Sequence, residues 1–250
     1  VPSPPAAKMR IGCAGWTIPR QHAALFPGPG SHLERYARRF AAVEINSSFY
    51  RPHQRSTYAR WAAAVADDFA FAVKAPREIT HRLRLDAAQP ALDAFLAQVA
   101  GLGEKLGPLL FQLPPGLRFD EARAGAFFAA LRARFAGAVV CEPRHPAWFA
   151  ADADALLAHY HIGRVAADPP VAAIGAAPGG WSGLCYFRLH GSPRLYYSQY
   201  GADRIAGLAD RLMAIGKAGA CLWCIFDNTA AGAAIADALA LAERLCALPA

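Results

Sequence analysis

A chain of 250 residues that is 55% hydrophobic and 18% charged can bury a sizeable single core and is too apolar to stay disordered. Its formal charge of +7 permits contact with phosphates, acidic ligands or nucleic acid, but the basic residues are scattered, as in Leu131-Arg132-Ala133-Arg134, and form no dense Lys/Arg run. No apolar stretch reaches the roughly 18 residues of a membrane span. Residues 1–8 are Pro-rich with no apolar segment of signal-peptide type, so the expectation is a cytoplasmic protein with a flexible tail over 1–8 and no membrane partner.

Short apolar runs then alternate with longer helical ones. Residues 9–13 read as a strand and 31–40 as a helix capped by Ser31. A strand at 43–46 precedes a helix at 56–66, and a strand at 69–74 precedes a long Ala/Leu helix at 90–106. The strand at 109–113 ends in Pro114-Pro115, and the helix at 120–135 takes Asp120 as its cap. Strands at 138–141 and 163–167 flank a helix at 152–160. Strands at 184–189 and 220–226 lead into helices at 203–217 and 230–248.

This alternation predicts a parallel sheet clothed in helices. Eight strand candidates and the length suit a TIM-like (β/α) barrel of about 250 residues, formed as one domain over 9–250. An open doubly wound sheet is the alternative. The segment 168–183 is too rich in Pro and Gly for a full helix, so the sixth helix is expected to be short or missing.

The cysteines Cys13, Cys141, Cys185, Cys221, Cys224 and Cys246 fall mostly in apolar runs and read as reduced, buried side chains. Cys221 and Cys224 have CxxC spacing inside a strand candidate, where residues three apart face opposite sides.

In a (β/α) barrel the C-terminal strand ends build the site. Here the first strand leads to Trp16. The second carries Glu44 and Asn46 and is followed by Tyr50. The third ends at Lys74, with His81 beyond it, and the fourth carries Gln112. The fifth runs into Glu142 and Arg144, the sixth into Asp168. The seventh carries Arg188 and His190, with Tyr200 following, and the eighth runs into Asp227 and Asn228. Charges so placed are costly unless paired or used, which leaves two readings open: a ligand site, or a salt-bridge ring closing the mouth. As a site, Glu44 and Glu142 are acid/base candidates of the kind glycoside hydrolysis uses, and His190 is a proton shuttle. Lys74, Arg144 and Arg188 would clamp an anion. Trp16, Asn46, Tyr50, His81, Gln112, Asp168, Tyr200 and Asn228 complete the expected substrate-binding set.

A metal would need Glu44, Glu142, Asp168 and His190 to converge; no HExxH or paired CxxC motif supports that, and none is expected. GxGxxG and GxxxxGK[ST] loops are absent, so no nucleotide cofactor is expected, and the absence of GxSxG argues against an α/β-hydrolase.

Seven blocks resemble one family: Ile11-Gly-Cys-Ala-Gly-Trp16; Val43-Glu-Ile-Asn-Ser-Ser-Phe-Tyr50; Phe71-Ala-Val-Lys74 with Ile79-Thr-His81; Pro108-Leu-Leu-Phe-Gln-Leu-Pro-Pro115; Glu142-Pro-Arg-His-Pro-Ala-Trp148; Phe187-Arg-Leu-His-Gly191; and Phe226-Asp-Asn228. Together they look like the YecE-like family, the domain of unknown function 72. The resemblance runs in order along nearly the whole chain and implies a TIM-type barrel without assigning an activity. The chain departs from the family pattern at Cys13-Ala14, where small hydroxyl residues are common, and at Asp227, where Asn is frequent.

The functional expectation is an acid/base enzyme of hydrolase, lyase or isomerase class acting on a small polar or anionic metabolite, such as a sugar or phosphate-bearing compound. The alternative is a nucleic-acid-binding or processing protein, suggested by the net charge and the aromatics past the strand ends. A third reading is a non-catalytic ligand-binding or scaffold protein whose charged ring is fully self-paired. No oligomeric state is assigned.

Overall fold

The structure is a computed structural model that describes residues 9–217 and 219–247. The expected tail over 1–8 and the final residue of the helix expected at 230–248 lie outside the described residues. The strands are β1 (Met9–Cys13), β2 (Ala42–Ile45), β3 (Ala70–Lys74), β4 (Leu106–Gln112), β5 (Val139–Glu142), β6 (Gly163–Arg164), β7 (Ala166–Asp168), β8 (Gly179–Gly180), β9 (Leu184–Leu189) and β10 (Cys221–Phe226). The α-helices are α1 (His32–Ala37), α2 (Arg55–Ala63), α3 (Gln89–Val99), α4 (Glu121–Arg132), α5 (Ala151–His159), α6 (Ala202–Lys217) and α7 (Ala233–Ala247).

Local chemistry explains several boundaries. At the start of α1, Ser31 Oγ accepts from the Glu34 amide at 3.3 Å while Glu34 Oε2 accepts from the Ser31 amide at 2.6 Å, a reciprocal capping box. Asp120 Oδ1 caps α4 by accepting from the Arg123 amide at 2.9 Å. The helix expected to reach residue 106 stops at Val99, because Gly103 adopts φ 55° and ψ −134° and the chain tightens into a turn.

Two hydrogen-bonded sheets result, a mixed α/β arrangement of mostly parallel strands. One has the order β1-β10-β9-β7 and the other β2-β3-β4-β5-β6-β8. All pairings are parallel except β6 with β8. The expected single ring of about eight strands is therefore two sheets with ten strands among the described residues. The sixth expected strand divides at Val165: β6 stays on β5, β7 moves to β9, and the Val165 amide still reaches Cys141 O at 2.9 Å. The added strand, β8, comes from the Pro/Gly-rich segment, which holds no α-helix and only a short 3-10 turn at Ala173–Ala176. At the other margin a parallel bridge between Ala14 and Glu44 links β1 to β2. Gly12 permits that approach, since a Cβ there would sit 2.1 Å from Ala42 O.

The core has two faces. One joins outward strand residues such as Val43, Phe71, Phe111 and Phe187 to the inner stripes of the helices. The other contains strand residues from both sheets and no helix residue, including Ala42, Ala72, Leu110, Val140, Tyr186 and Trp223. Cys221 belongs to this helix-free interior and Cys224 to the helix side, as three-residue spacing in a strand requires. Among the described residues no helix is long and apolar enough to cross a membrane.

Candidate active site

Period-two alternation builds the site. Along β9, Leu184 and Tyr186 face the helix-free interior, so Arg188 does too. The same count carries Ala42 to Glu44 on β2, Ala70 and Ala72 to Lys74 on β3, Val140 to Glu142 on β5, and Trp223 and Ile225 to Asp227 just past β10. An apolar floor therefore lies under a layer of ionisable groups at the C-terminal strand ends. Glu44, Glu142, Arg188 and His190 have no residual exposure, and Lys74 and Asp227 have 5% and 4%.

Arg188 organises this layer. It donates to Glu44 through Nε at 3.0 Å and Nη2 at 2.7 Å, to Glu142 through Nη1 at 2.7 Å, and to Asp227 through Nη2 at 3.0 Å. One guanidinium thus gathers carboxylates from three chain segments, and its charge and fork geometry offset their desolvation. Tyr186 donates its hydroxyl to Glu44 Oε2 at 2.8 Å, and its ring stacks on Trp223 with centroids 6.0 Å apart.

His190 bridges two of the carboxylates. Its Nδ1 lies 2.9 Å from Asp227 Oδ2 and its Nε2 lies 2.8 Å from Glu142 Oε1. Arg144 Nη2 reaches both His190 Nε2 and Glu142 Oε1 at 2.6 Å. Nε2 therefore meets a carboxylate that accepts its proton and a guanidinium that donates when the proton is gone. Gln112 Nε2 donates to Glu142 Oε2 at 3.1 Å.

Burial alone would raise the Glu142 carboxyl, but Arg188, Arg144 and His190 hold it well below the usual carboxylate range. Asp227 is lowered in the same way: Arg188 and His190 outweigh its burial. Lys74 moves the other way for an amine: burial and then the charge of Arg188 bring it down to about 8, against the pull of Glu44, Glu142 and Asp227. Three carboxylates against Arg188 and Arg144 leave one negative charge, which a proton on Lys74 or on His190 balances.

The remaining expected residues divide. Asn46 begins the turn after β2, and its Oδ1 is sealed from solvent with no partner. His81 sits on a wide helical turn over Glu78–Arg82, with Nδ1 2.9 Å from Thr80 Oγ1 and its ring edge-on to Phe49 at 4.9 Å. Burial and then Lys74 lower its pKa. Tyr50 is 71% exposed at the rim. Trp16 packs on the helix side, against Trp61 at 5.0 Å and Phe71 at 6.4 Å. Asp168 pairs with Arg204, away from the Arg188 cluster. Tyr200 and Asn228 are buried in a bracing network: Asp237 accepts from the Tyr200 amide and from Asn228 Nδ2, and the Tyr200 hydroxyl accepts from the Gly191 amide at 2.9 Å. That network fixes the loop that lays Tyr196 edge-on to His190 at 5.7 Å.

Three participants were not in the expected set: Tyr186, Asp227 and Asp237. Tyr186 and Asp227 carry an alternation signal, since each shares its face with Arg188 or with Trp223 and Ile225. Asp237 is a lone acid among the buried positions of α7. Among the described residues no group of three or more His, Cys, Asp or Glu side chains is disposed to hold a metal ion. A cavity of about 340 Å³ lies on the helix side of β7 and β9, where the sixth helix is missing, and another of about 260 Å³ lies between the end of β1 and the start of α7. The Arg188 cluster lines neither.

A family model described as "Protein of unknown function DUF72" matches residues 10–249. The chain belongs to the DUF72 family. Similar curated proteins are the UPF0759 protein YecE of Escherichia coli K12, 34% identical over 119 residues, and the UPF0759 protein YunF of Bacillus subtilis, 27% identical over 150 residues. The first match covers 47% of this chain and 43% of YecE, the second 56% and 51% of YunF, so the chain matches about half the length of these relatives. Among solved structures, a DUF72 family protein of Enterococcus faecalis superposes with TM-score 0.80 at 20% identity over 97% of both chains. One from Thermotoga maritima gives 0.78 at 21% identity, over 95% of this chain and 98% of that one. These two DUF72 structures share the fold of this chain.

Proposed function

We propose that this DUF72 chain forms one (β/α)-barrel domain and works as an acid/base enzyme on a small polar, anionic metabolite at the C-terminal mouth. The barrel reading is supported by the continuity of β6 and β7 through Val165, by the Ala14–Glu44 bridge, and by the helix-free interior shared by both sheets. The catalytic reading rests on one observation: His190 Nε2 has a proton acceptor, Glu142, and a donor, Arg144, both within hydrogen-bond reach. The imidazole can take or release a proton there without losing a partner, as general acid/base chemistry requires. Asp227 orients the ring through Nδ1, and Glu44, held by Arg188 and Tyr186, is a positioning group rather than the second acid. With four of its hydrogen bonds spent on carboxylates, Arg188 leaves anion binding to Arg144.

The test is a panel of sugar phosphates, hydroxy acids and keto acids in deuterated buffer, read by NMR for conversion or hydrogen exchange. The wild type acts on at least one compound, and Glu142→Gln, still folded, loses about 100-fold or more. A silent panel, or a variant as fast as wild type, overturns the proposal. A nucleic-acid reading draws on the rim, where Arg194 lies 3.9 Å over the exposed Tyr197 ring and Tyr50 is open to solvent. It requires retention on single-stranded DNA or RNA that weakens steeply with salt.

A further inference from the structure

Lys74 stands apart within the ionisable layer. Among the described residues its Nζ makes no hydrogen bond and no ion pair; its contact is the face of the Phe49 ring, 4.2 Å away. Lys105 shows the ordinary alternative, its amine tied to Ala62 O at 2.8 Å, Val65 O at 2.7 Å and Asp67 at 3.3 Å. The carboxylates that would neutralise Lys74 are already held by Arg188. Its position is fixed all the same. Ser48 Oγ donates to Lys74 O at 2.6 Å, and Phe49 is itself held edge-on by Tyr50 at 5.0 Å and His81 at 4.9 Å. Among the described residues the polar atoms sealed from solvent without a partner are Asn46 Oδ1, Tyr58 OH, Gln98 Oε1 and Asn228 Oδ1; the Lys74 amine is not among them, and the residue keeps 5% exposure. An amine that is positioned, desolvated and unpaired is arranged as a nucleophile, not as a structural cation.

We infer that Lys74 attacks an aldehyde or ketone carbonyl of the substrate and forms an imine. The inference rests on the reading of the mouth as an active site and narrows the substrate to a carbonyl compound. In the first step the Nζ lone pair bonds to the carbonyl carbon, and the C=O π pair moves to oxygen, which takes a proton from the Glu142–His190 pair. Nζ then gives up its two protons: one returns to the Glu142–His190 pair, the other leaves with the hydroxyl as water, and the nitrogen lone pair closes the C=N bond. Amine plus carbonyl gives imine plus water, with no change of oxidation state. The amine's fall to about 8 leaves a large neutral fraction at pH 8, where an ordinary lysine is almost wholly protonated.

The test is reductive trapping of the whole protein at pH 8 with glycolaldehyde, dihydroxyacetone or pyruvate and sodium cyanoborohydride, followed by peptide mass spectrometry. Lys74 is expected to carry the reduced adduct at least ten times faster than exposed Lys217 with at least one probe. Lys74→Arg, which keeps the charge, should lose the adduct while its circular dichroism and melting stay close to wild type. Labelling of Lys74 no faster than Lys217 with all three probes overturns the inference. The Glu142→Gln variant separates the two readings. Selective Lys74 labelling that is unchanged in Glu142→Gln keeps the nucleophile and removes the Glu142 acid/base role. Glu142-dependent deuterium exchange with no Lys74 adduct does the reverse.

Discussion

Replacing Arg188 by methionine tests whether a single guanidinium holds the carboxylate layer together. The three acids it serves are almost wholly buried, so the cost depends on what each keeps afterwards. Glu142 retains Arg144 at 2.6 Å and His190 at 2.8 Å, and Asp227 retains His190 at 2.9 Å. Among the described residues Glu44 retains one hydrogen bond, from the Tyr186 hydroxyl, and no ion pair. The loss is therefore that of one orphaned buried charge, about 3–5 kcal/mol, and not three times that. For a domain of this size, about 2–4 °C per kcal/mol turns this into a fall in Tm of roughly 6–20 °C. Urea unfolding followed by tryptophan fluorescence at pH 7 and at pH 3 measures it. Glu142 and Asp227 are held below their unfolded values, so their contribution is complete above about pH 5 and fades as the pH falls through the unfolded and then the folded values. The gap between wild type and variant should narrow at pH 3, and adding Glu44→Gln to the variant should restore more stability than adding Asp227→Asn. A loss under about 1 kcal/mol at pH 7, or a gap that does not change with pH, would refute the argument.

Two further outcomes follow from other parts of the molecule. Gly12→Ala places a methyl 2.1 Å from Ala42 O and 3.0 Å from the Tyr36 hydroxyl, so it should cost about 3 kcal/mol or more; a urea midpoint equal to wild type would show that β1 and β2 are not in close contact. Lys74→Met should reveal the cost of a buried ammonium: the folded amine sits at about 8 against 10.5 unfolded, so wild type should gain up to about 3 kcal/mol relative to the variant between pH 8 and 10.5. Parallel stability–pH curves for the two proteins would contradict that.

The elements at 9–13 and 184–189 were legible to the residue, because short, mostly apolar runs bounded by Gly- and Pro-bearing segments leave little choice of boundary. The polar strand ends were legible for a similar reason. The direction of each side chain needed a further count. Val165 faces the interior and Ala166 the helix side, so Asp168, two residues beyond Ala166, points outward to Arg204 and not into the layer with Glu142. Pairing was beyond reach, since alternation assigns a face but not which acid meets which base. That is why the pairing of Arg188 with three acids was not anticipated, and why Asp227 and Tyr186 went unassigned. The division at Val165 depends on how two sheets share one strand, which no local pattern encodes.

The missing sixth helix changes how one flank of the protein meets water. Elsewhere apolar helix stripes seal the strands, but beside β7 and β9 two arginines of α6 join Ile205 and Leu208: Arg211 lies 5.0 Å over Phe187, and Arg204 lies 4.9 Å over Tyr200. A guanidinium plane shields the ring beneath it while its own edge stays hydrated. This flank is thus a partly wet seal, in which guanidinium planes lie over rings beside the buried Ile205 and Ala209 of the same helix. The covering of β7 and β9 is therefore set by α6, which follows β9, and not by a helix between the two strands.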